Sequence, residues 1–303
     1  MPIPQILLHP QGCRCSRLAM GVWRMAAWQL SQSELRSFVQ HCLDLGITTF
    51  DHADIYGDYT CEALFGPLLQ AEPSLRDRLQ LITKCGIKLV SPNRPEHAIK
   101  HYDSSRDHIL ASVENSLKAL HTDYLDVLLI HRPDYLMHAD EMAEAFTTLK
   151  QTGKVLHFGV SNFSPSQVAL LASRLDFPLV TNQIELSVMH LNPFTDGTLD
   201  QCQQLRMTPM AWSPLGGGEL FRSKSAKAER LRQALSTIAQ QHEHASIDQV
   251  ALAWLLTHPA NILPILGTQS IDRLQSAVAA FNLQLTREQW YSIWVASTGI
   301  EVP

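Results

Sequence analysis

Residues 50–57 read Phe-Asp-His-Ala-Asp-Ile-Tyr-Gly and continue an apolar run that begins at Ile47. The pattern predicts a buried strand that ends at the carboxylate of Asp51, followed by a short loop that carries the phenol of Tyr56. Open α/β sheets and α/β barrels bind their ligands at the carboxyl ends of their strands. Residues 50–57 therefore predict that this rim of a sheet carries the chemistry of the protein.

The composition is typical of a globular protein with a large hydrophobic core. The chain has 303 residues, of which 45% are hydrophobic and 17% charged, and its formal net charge is −5. The negative charge gives no reason to expect a nucleic acid or an anionic membrane surface as a partner. No apolar run has the length of a membrane span, and residues 1–5 lack the basic start of a signal peptide. Because the six cysteines are scattered, we expect a reduced, cytoplasmic protein.

Strand patterns and helix patterns alternate along the whole chain. Short apolar runs predict eight strands, at residues 18–22, 47–51, 79–85, 125–131, 155–160, 180–186, 207–212 and 262–266. Apolar residues at helical spacing follow these runs, and the capping boxes at 31–34 and 164–167 begin two of the helices. No shift in composition marks a domain boundary.

This alternation predicts a parallel sheet that closes into a (β/α)8 TIM barrel, formed as one domain over residues 1–303. Residues 6–8 and 13–18 flank a turn-like spacer and predict a short N-terminal hairpin. Helical patterns place extra helices near the C-terminus, at 226–242, 247–257 and 286–297.

A barrel of this kind requires functional side chains where its strands end. The residues at those positions are Trp23, Asp51, Lys84, His131, Ser161, Asn162, Asn182, Gln183, Trp212, Ser213, Gly267, Thr268 and Gln269. Most of them are polar or aromatic, and a barrel rim would bring them together although they lie far apart in sequence.

Asp51, Tyr56, Lys84 and His131 contain the parts needed to protonate a developing alkoxide. A phenol has a pKa near 10, but a neighbouring ammonium is predicted to lower the pKa of Tyr56, while a carboxylate holds the ammonium in place. A neutral imidazole can donate a hydrogen bond to a carbonyl oxygen. Taken singly, each residue also has a structural interpretation, as a helix cap, a rim charge or a packed side chain. Acyl transfer is not indicated, because no serine or cysteine is evidently paired with a base.

Several motifs resemble the aldo-keto reductase family and occur in the family's order along essentially the whole chain. They are Asp-x-Ala-x-x-Tyr-Gly at 51–57, the lysine at 84, Leu-Leu-Ile-His at 128–131, Gly-Val-Ser-Asn-Phe at 159–163, Asn-Gln-Ile-Glu at 182–185 and Trp-Ser-Pro-Leu-Gly at 212–216. Residues 51–57, His-Arg-Pro-Asp at 131–134 and the triple glycine at 216–218 look most like the bacterial YdhF-like branch.

The resemblance implies an NADP-dependent oxidoreductase that reduces the carbonyl group of an aldehyde or ketone to an alcohol. Tyr56 is then the proton donor, Lys84 held by Asp51 tunes Tyr56, and His131 orients the carbonyl. Trp23 is expected to line the substrate pocket. Ser161, Asn162 and Gln183 are expected to hold the carboxamide of the nicotinamide. The other cofactor contacts are expected at Trp212, which stacks on the ring, and at Ser213, Leu215, Gly216, Gly267, Thr268, Gln269 and Arg273.

The expected cofactor is NADPH, with NADH less favoured. No Gly-x-Gly-x-x-Gly motif follows the first strand, so a Rossmann site is not indicated. Ser270 is instead predicted to cap the last core helix, whose free N–H groups attract phosphate. Arg273 resembles the family arginine that contacts the adenosine 2′-phosphate. Gly267 stands where many members carry a basic residue, which weakens the preference. Residues 216–218 with Arg222 and Lys224 form either a clamp over the pyrophosphate or a mobile linker.

A metal site is not expected, because Asp51 and His52 would point to opposite faces of a strand and the usual ligand spacings are missing. Residues 91–102 form either an insertion that shapes the pocket or a variable loop. Two other functions stay open: a cofactor-binding, redox-sensing regulatory subunit with little turnover, and a non-redox barrel hydrolase or lyase. The sequence predicts a small-molecule carbonyl substrate without naming it, and it predicts no oligomeric state.

Overall fold

Parallel strands form the centre of the molecule. The computed structural model describes residues 2–243 and 245–303. Its strands are β1 (Gln5–Leu7), β2 (Arg14–Ser16), β3 (Ala19–Gly21), β4 (Thr49–Asp51), β5 (Gln80–Cys85), β6 (Ile87–Lys88), β7 (His101–Tyr102), β8 (Leu125–Ile130), β9 (Val155–Ser161), β10 (Leu179–Glu185), β11 (Met210–Trp212) and β12 (Leu263–Leu266). Within the described residues, eight of these close into a barrel in the order β3-β4-β5-β8-β9-β10-β11-β12. The predicted TIM barrel is confirmed.

Helices surround the barrel. They are α1 (Met25–Trp28), α2 (Gln32–Asp44), α3 (Tyr56–Tyr59), α4 (Cys61–Ala71), α5 (Arg106–Leu120), α6 (Ala139–Gln151), α7 (Pro165–Ala172), α8 (Thr198–Gln204), α9 (Glu219–Arg222), α10 (Ala226–Gln241), α11 (Ile247–Leu256), α12 (Ile271–Ala279) and α13 (Arg287–Thr298). The predicted capping boxes form at the start of α2 and α7. Over the two described ranges, none of the helices combines the length and the apolar character needed to cross a membrane.

The N-terminal hairpin covers the amino end of the barrel. Strand β1 pairs with β2 in antiparallel orientation, with Ile6 opposite Cys15. Leu8 and Cys15 are fully buried and belong to the same hydrophobic cluster as the barrel residues Val180 and Met210. The hairpin predicted from the sequence is therefore confirmed, and it closes the end of the barrel that lies opposite the strand carboxyl ends.

Two segments differ from the sequence prediction. Strand β11 begins at Met210 rather than at residue 207, because the N–H of Thr208 donates to the carbonyl of Leu8 at 2.7 Å and Pro209 has no N–H to donate. The N–H of Thr208 thus pairs with the hairpin chain, although the carbonyl of Pro209 still accepts from the N–H of Leu263 in β12 at 2.9 Å. Within the segment 86–104, β6 and β7 form a second antiparallel hairpin, which the sequence pattern did not predict.

Candidate active site

The carboxyl ends of neighbouring barrel strands bring the four predicted catalytic residues together. Asp51 is the last residue of β4, Lys84 lies near the end of β5, and His131 follows β8 directly. Because β4 pairs with β5 and β5 pairs with β8, these three positions share one rim of the barrel. Tyr56 reaches the same rim from the turn α3, which follows β4.

Lys84 is fully buried at the centre of this group. Its Nζ donates to Asp51 Oδ1 at 2.8 Å and to the carbonyl of His52 at 2.6 Å. Burial opposes the positive charge, but the interactions with Asp51 and Tyr56 outweigh it, so the pKa of Lys84 lies above its ordinary value. Lys84 is therefore a charged ammonium that is held in place by a carboxylate, as predicted.

Tyr56 packs against both Lys84 and His131. The Lys84 Nζ lies 4.9 Å from the centroid of the Tyr56 ring, and the Tyr56 and His131 rings meet edge to face with centroids 5.8 Å apart. The turn that holds the phenol needs glycine at its second position. Gly57 has a φ of 58°, and a Cβ there would stand 2.7 Å from the Sγ of Cys61. A steric requirement of this turn therefore explains why glycine follows Tyr56 in the sequence.

The predicted direction of the Tyr56 pKa is wrong. Burial raises the pKa of Tyr56 above its ordinary value, and the opposing effect of Lys84 is too small to reverse the shift. The negative charge of Asp51 also favours the protonated phenol. The sequence indicated the neighbouring ammonium correctly but did not reveal that desolvation of the half-buried phenol outweighs it.

His131 is neutral at neutral pH. Burial lowers the pKa of His131 well below its ordinary value, and the positive charges of Lys84, Arg132 and Lys100 act in the same direction. Its Nδ1 is buried and has no hydrogen-bond partner among the described residues. The protein's own hydrogen bonds therefore do not fix which ring nitrogen carries the proton.

A second group of predicted residues lies beside the first. Asn162 Nδ2 donates to Ser161 Oγ at 2.7 Å, and Trp212 Nε1 donates to Asn162 Oδ1 at 3.0 Å. Gln183 Nε2 donates to Asp51 Oδ1 at 2.8 Å, a contact that the sequence did not predict. Gln183 therefore links the predicted carboxamide site to the lysine–carboxylate pair. The hydroxyl and amide groups could hydrogen-bond to the carboxamide of a nicotinamide, and the indole could stack on its ring.

Residues 213–218 form an ordered turn. The N–H of Gly216 donates to the carbonyl of Ser213 at 2.8 Å, and the N–H of Gly218 donates to that of Leu215 at 3.1 Å. Arg222 donates to the carbonyl of Gly217 at 2.9 Å. The interpretation as a mobile linker therefore receives no support from these contacts, and the interpretation as a clamp stays a prediction.

The predicted phosphate site lies at the start of α12. Thr268 Oγ1 accepts from the N–H of Ser270, and Ser270 Oγ accepts from the N–H of Arg273 at 3.4 Å. The side chains of Arg273 and Gln269 are exposed, and a Cβ at Gly267 would meet no atom within 4 Å. The capped helix start, the open glycine and the exposed arginine fit an adenosine phosphate.

A cavity of about 460 Å³ opens beside Trp212, between the loops after β9 and β10. Arg132 lies over the Trp212 ring at 5.5 Å, and the Nδ1 of His190 lies 3.8 Å from Glu185 Oε2. Arg132 and Glu185 belong to motifs that the sequence indicated, but no role was predicted for them, and His190 was not predicted at all. Trp23 is 54% exposed and lies against Arg24, at the end of β3.

Comparison with known proteins agrees with this arrangement. The model of the Aldo/keto reductase family matches residues 17–295. Oxidoreductase YdhF of Escherichia coli (strain K12) is 52% identical over 99% of this chain and 100% of its own. A 6-dehydroglucose reductase of Agrobacterium fabrum is 43% identical over 95% of this chain and 96% of its own.

A solved structure also resembles the fold along its whole length. The crystal structure of a thermostable aldo-keto reductase in complex with the inhibitor epalrestat superimposes with a TM-score of 0.81 at 27% identity, covering 98% of this chain and 99% of that one. The resemblance predicted from the motifs, including the likeness to YdhF, is confirmed. The chain therefore belongs to the aldo-keto reductase family of oxidoreductases.

Proposed function

We propose that the protein reduces the carbonyl group of aldehydes or ketones to the alcohol, with NADPH as the hydride donor. The observation that carries the proposal is the buried Lys84 ammonium, which is paired with Asp51 and lies beside the Tyr56 ring at the barrel mouth. In this arrangement the phenol of Tyr56 can supply a proton to an oxygen that gains negative charge, and the ammonium of Lys84 stabilises the phenolate left behind.

The four residues have separate roles in this proposal. Tyr56 donates its phenolic proton to the carbonyl oxygen, and its raised pKa keeps that proton in place at neutral pH. Lys84 stabilises the phenolate, and Asp51 holds Lys84 at 2.8 Å. The neutral imidazole of His131 donates a hydrogen bond that orients the carbonyl, because it lies against the Tyr56 ring.

NADPH supplies the hydride when it is bound. Ser161, Asn162 and Gln183 would hold its carboxamide, and Trp212 offers an aromatic face for the ring. The turn of Ser213, Leu215 and Gly216 would contact the pyrophosphate. The start of α12, with Gly267, Thr268, Gln269 and Arg273, would hold the adenosine phosphate and favour NADPH over NADH.

We infer that the substrates include polyhydroxylated aldehydes. A relative that is 43% identical is named a 6-dehydroglucose reductase. The cavity beside Trp212 is lined by charged and amide side chains that can both donate and accept hydrogen bonds, among them Arg132, Gln167, Glu185 and Asn192. Hydroxyl groups need such mixed partners. Trp23 would line the entrance for the carbonyl end.

The proposed compartment is the cytoplasm. All six cysteines are free thiols, which is typical of a reducing environment.

The variant Tyr56→Phe tests the proton donor. We expect its kcat for aldehyde reduction to fall by about 10²- to 10⁴-fold, the usual contribution of a general acid, while the Kd for NADPH stays close to that of the wild type. Oxidation of NADPH would be followed over a panel of sugar aldehydes, simple aldehydes and ketones. Tyr124→Phe, at the amino end of β8, is the matched control and should keep its activity.

Two results would contradict the proposal. Retention of most of the activity in Tyr56→Phe would show that another group donates the proton. Tight binding of NADPH by the wild type without turnover on any substrate would favour a redox-sensing subunit.

A further inference from the structure

A second group of buried polar side chains lies on the outer side of β5. Side chains along a strand alternate between its two faces, so Lys84 points to the barrel interior while Thr83 and Cys85 point to the surrounding helices. Two carboxyl groups reach this outer side, Asp54 from the loop after β4 and Glu62 from α4. The proposed reduction uses neither of them.

Hydroxyl groups of neighbouring elements donate to both carboxyl groups. Ser112 Oγ on α5 donates to Asp54 Oδ2 at 2.9 Å, and Thr83 Oγ1 donates to Glu62 Oε1 at 2.5 Å. The other oxygen of Asp54 is buried without a hydrogen-bond partner among the described residues. Within residues 2–243 and 245–303, no lysine, arginine or histidine forms an ion pair with either carboxyl group.

These surroundings favour the uncharged acid. Burial raises the pKa of Asp54 to about 8, and the nearby negative charge of Glu62 adds to this shift, whereas Ser112 and Arg94 oppose it. Burial also raises the pKa of Glu62. Asp54 therefore carries a proton at neutral pH and loses it in the mildly alkaline range.

The position of Asp54 in the chain connects it to the proposed site. Asp54 lies on the loop between Asp51 and Tyr56, and its N–H donates to the carbonyl of Lys84 at 3.0 Å. A movement of Asp54 would therefore move the phenol of Tyr56 relative to the ammonium. A displacement of about 1 Å in an active site can lower the rate by about a hundredfold.

We propose that Asp54 is a positioning residue for Tyr56: as a neutral acid it holds residues 52–55 against β5 and α5, and as a carboxylate it is drawn toward water and loosens them. This inference rests on the proposed reduction by Tyr56. The proton of Asp54 passes to solvent. The carboxylate that remains moves toward water because an ionised carboxyl group without an ion-pair partner needs hydration. The titratable and charged groups that face Asp54 are Tyr59, Glu62, Cys85 and Arg94.

Two alkaline transitions can then be separated. Burial raises the pKa of Tyr56, so Tyr56 loses its own proton at a higher pH than a free phenol does. A loss of kcat that begins near pH 8 belongs instead to Asp54. One pH unit above its pKa, a group retains about a tenth of its protonated form, so we expect kcat at about pH 9 to lie about tenfold below its value near pH 6.

The test is kcat against pH, from about pH 6 to about pH 9.5, at saturating NADPH and aldehyde. Asp54→Asn keeps a neutral amide at the position and should lose the transition near pH 8 while it matches the wild type near pH 6. Glu62→Gln removes a negative neighbour, so it should move the transition to lower pH. Asp58→Asn, an exposed acid in the same turn, is the control and should match the wild type throughout.

A second measurement does not depend on turnover. Amide hydrogen exchange of the segment 52–57, corrected for intrinsic rates, should rise above about pH 8 in the wild type and in Asp58→Asn but not in Asp54→Asn. Equal exchange in all three proteins, or an alkaline transition that Asp54→Asn and Glu62→Gln leave in place, would overturn the inference. If the wild type reduces no carbonyl compound, the proposed function fails, while the exchange result still decides whether Asp54 positions the loop.

Discussion

His52 is a polar side chain that lies next to the site without facing it. Its ring packs edge to face against Phe65 of α4, with centroids 4.8 Å apart, while the neighbouring Asp51 points to Lys84. Both ring nitrogens are buried and have no hydrogen-bond partner in residues 2–243 and 245–303. Burial lowers the pKa of His52 to about 3. The ring is therefore neutral in the folded protein, and its unmet hydrogen bonds reduce stability.

His52→Leu should raise the free energy of unfolding by about 1–3 kcal/mol at neutral pH, the range for removing an unsatisfied buried polar group. At pH 5 this difference should be larger by about 2 kcal/mol. The depressed pKa of His52 makes the wild type lose stability as the pH falls from about 6.5 toward 3, and His52→Leu lacks that loss. Urea unfolding at both pH values measures this. The exposed His41→Leu is the control, and an equal pH dependence in wild type and His52→Leu would contradict the prediction.

The sequence was sufficient to predict residues whose chemistry coincides with a strand end. Asp51, Lys84 and His131 stand at such positions, and the structure brings them together with Tyr56. The direction of the Tyr56 pKa was not predictable, because it depends on burial by residues from several elements. The contact between Gln183 and Asp51 was also missed, since it joins strands on different sides of the barrel.

At the scale of elements, Arg17 helps to close the barrel. It precedes β3, and its buried guanidinium donates to the carbonyl of Asn261 at 3.0 Å and to that of Leu256 at 3.4 Å, with a further bond to the carbonyl of Ile262. These carbonyls lie at the end of α11 and in the loop before β12. Because β12 pairs with β3 at the closure of the barrel, one side chain ties the first and last barrel strands together.

Arg17→Met should lower the free energy of unfolding by about 3–5 kcal/mol, because it leaves three backbone carbonyls without their donor. Urea unfolding of the purified protein measures the loss. Arg14→Met, on the exposed side of β2, is the control and should change stability by less than about 0.5 kcal/mol. A loss of less than about 1 kcal/mol in Arg17→Met would show that strand pairing alone closes the barrel.

The barrel strands and the long helices were predicted within a few residues, but β6 and β7 were missed and the start of β11 was misplaced. Capping boxes and helical spacing located α2 and α7, since both signals are local. The two-residue strands β6 and β7 lie too far apart in sequence, and are too short, to show an alternating pattern. The start of β11 depended on a contact with the N-terminal hairpin, which no local pattern contains.

At the scale of the whole molecule, ligand binding and folding are linked. The predicted cofactor contacts extend over the strand ends from β9 to β12 and the start of α12. A ligand that binds the folded state alone stabilises it in proportion to the logarithm of its concentration over Kd. The number and order of the strands were predictable from the alternation of patterns, because eight units leave few other parallel architectures.

Arg273→Ser should weaken NADPH binding by about tenfold, the effect of losing one charge-assisted phosphate contact, and leave NADH binding unchanged. The rise in Tm at a fixed NADPH concentration should shrink accordingly, and quenching of tryptophan fluorescence gives Kd directly. Arg287→Ser, an exposed arginine at the start of α13, is the control. An equal loss for NADPH and NADH would show that Arg273 does not contact the 2′-phosphate.

The hairpin of β1 and β2 has a consequence for the order of events in a catalytic cycle. Leu8 and Cys15 pack across the amino end of the barrel, so within the described residues the open face of the barrel lies at the carboxyl ends of its strands. Both reactants of the proposed reduction must enter from this face, and the reactant that binds deeper has to bind first and leave last. A nicotinamide bound against Trp212 and Gln183 would be the deeper reactant, so release of the cofactor would limit the rate of turnover.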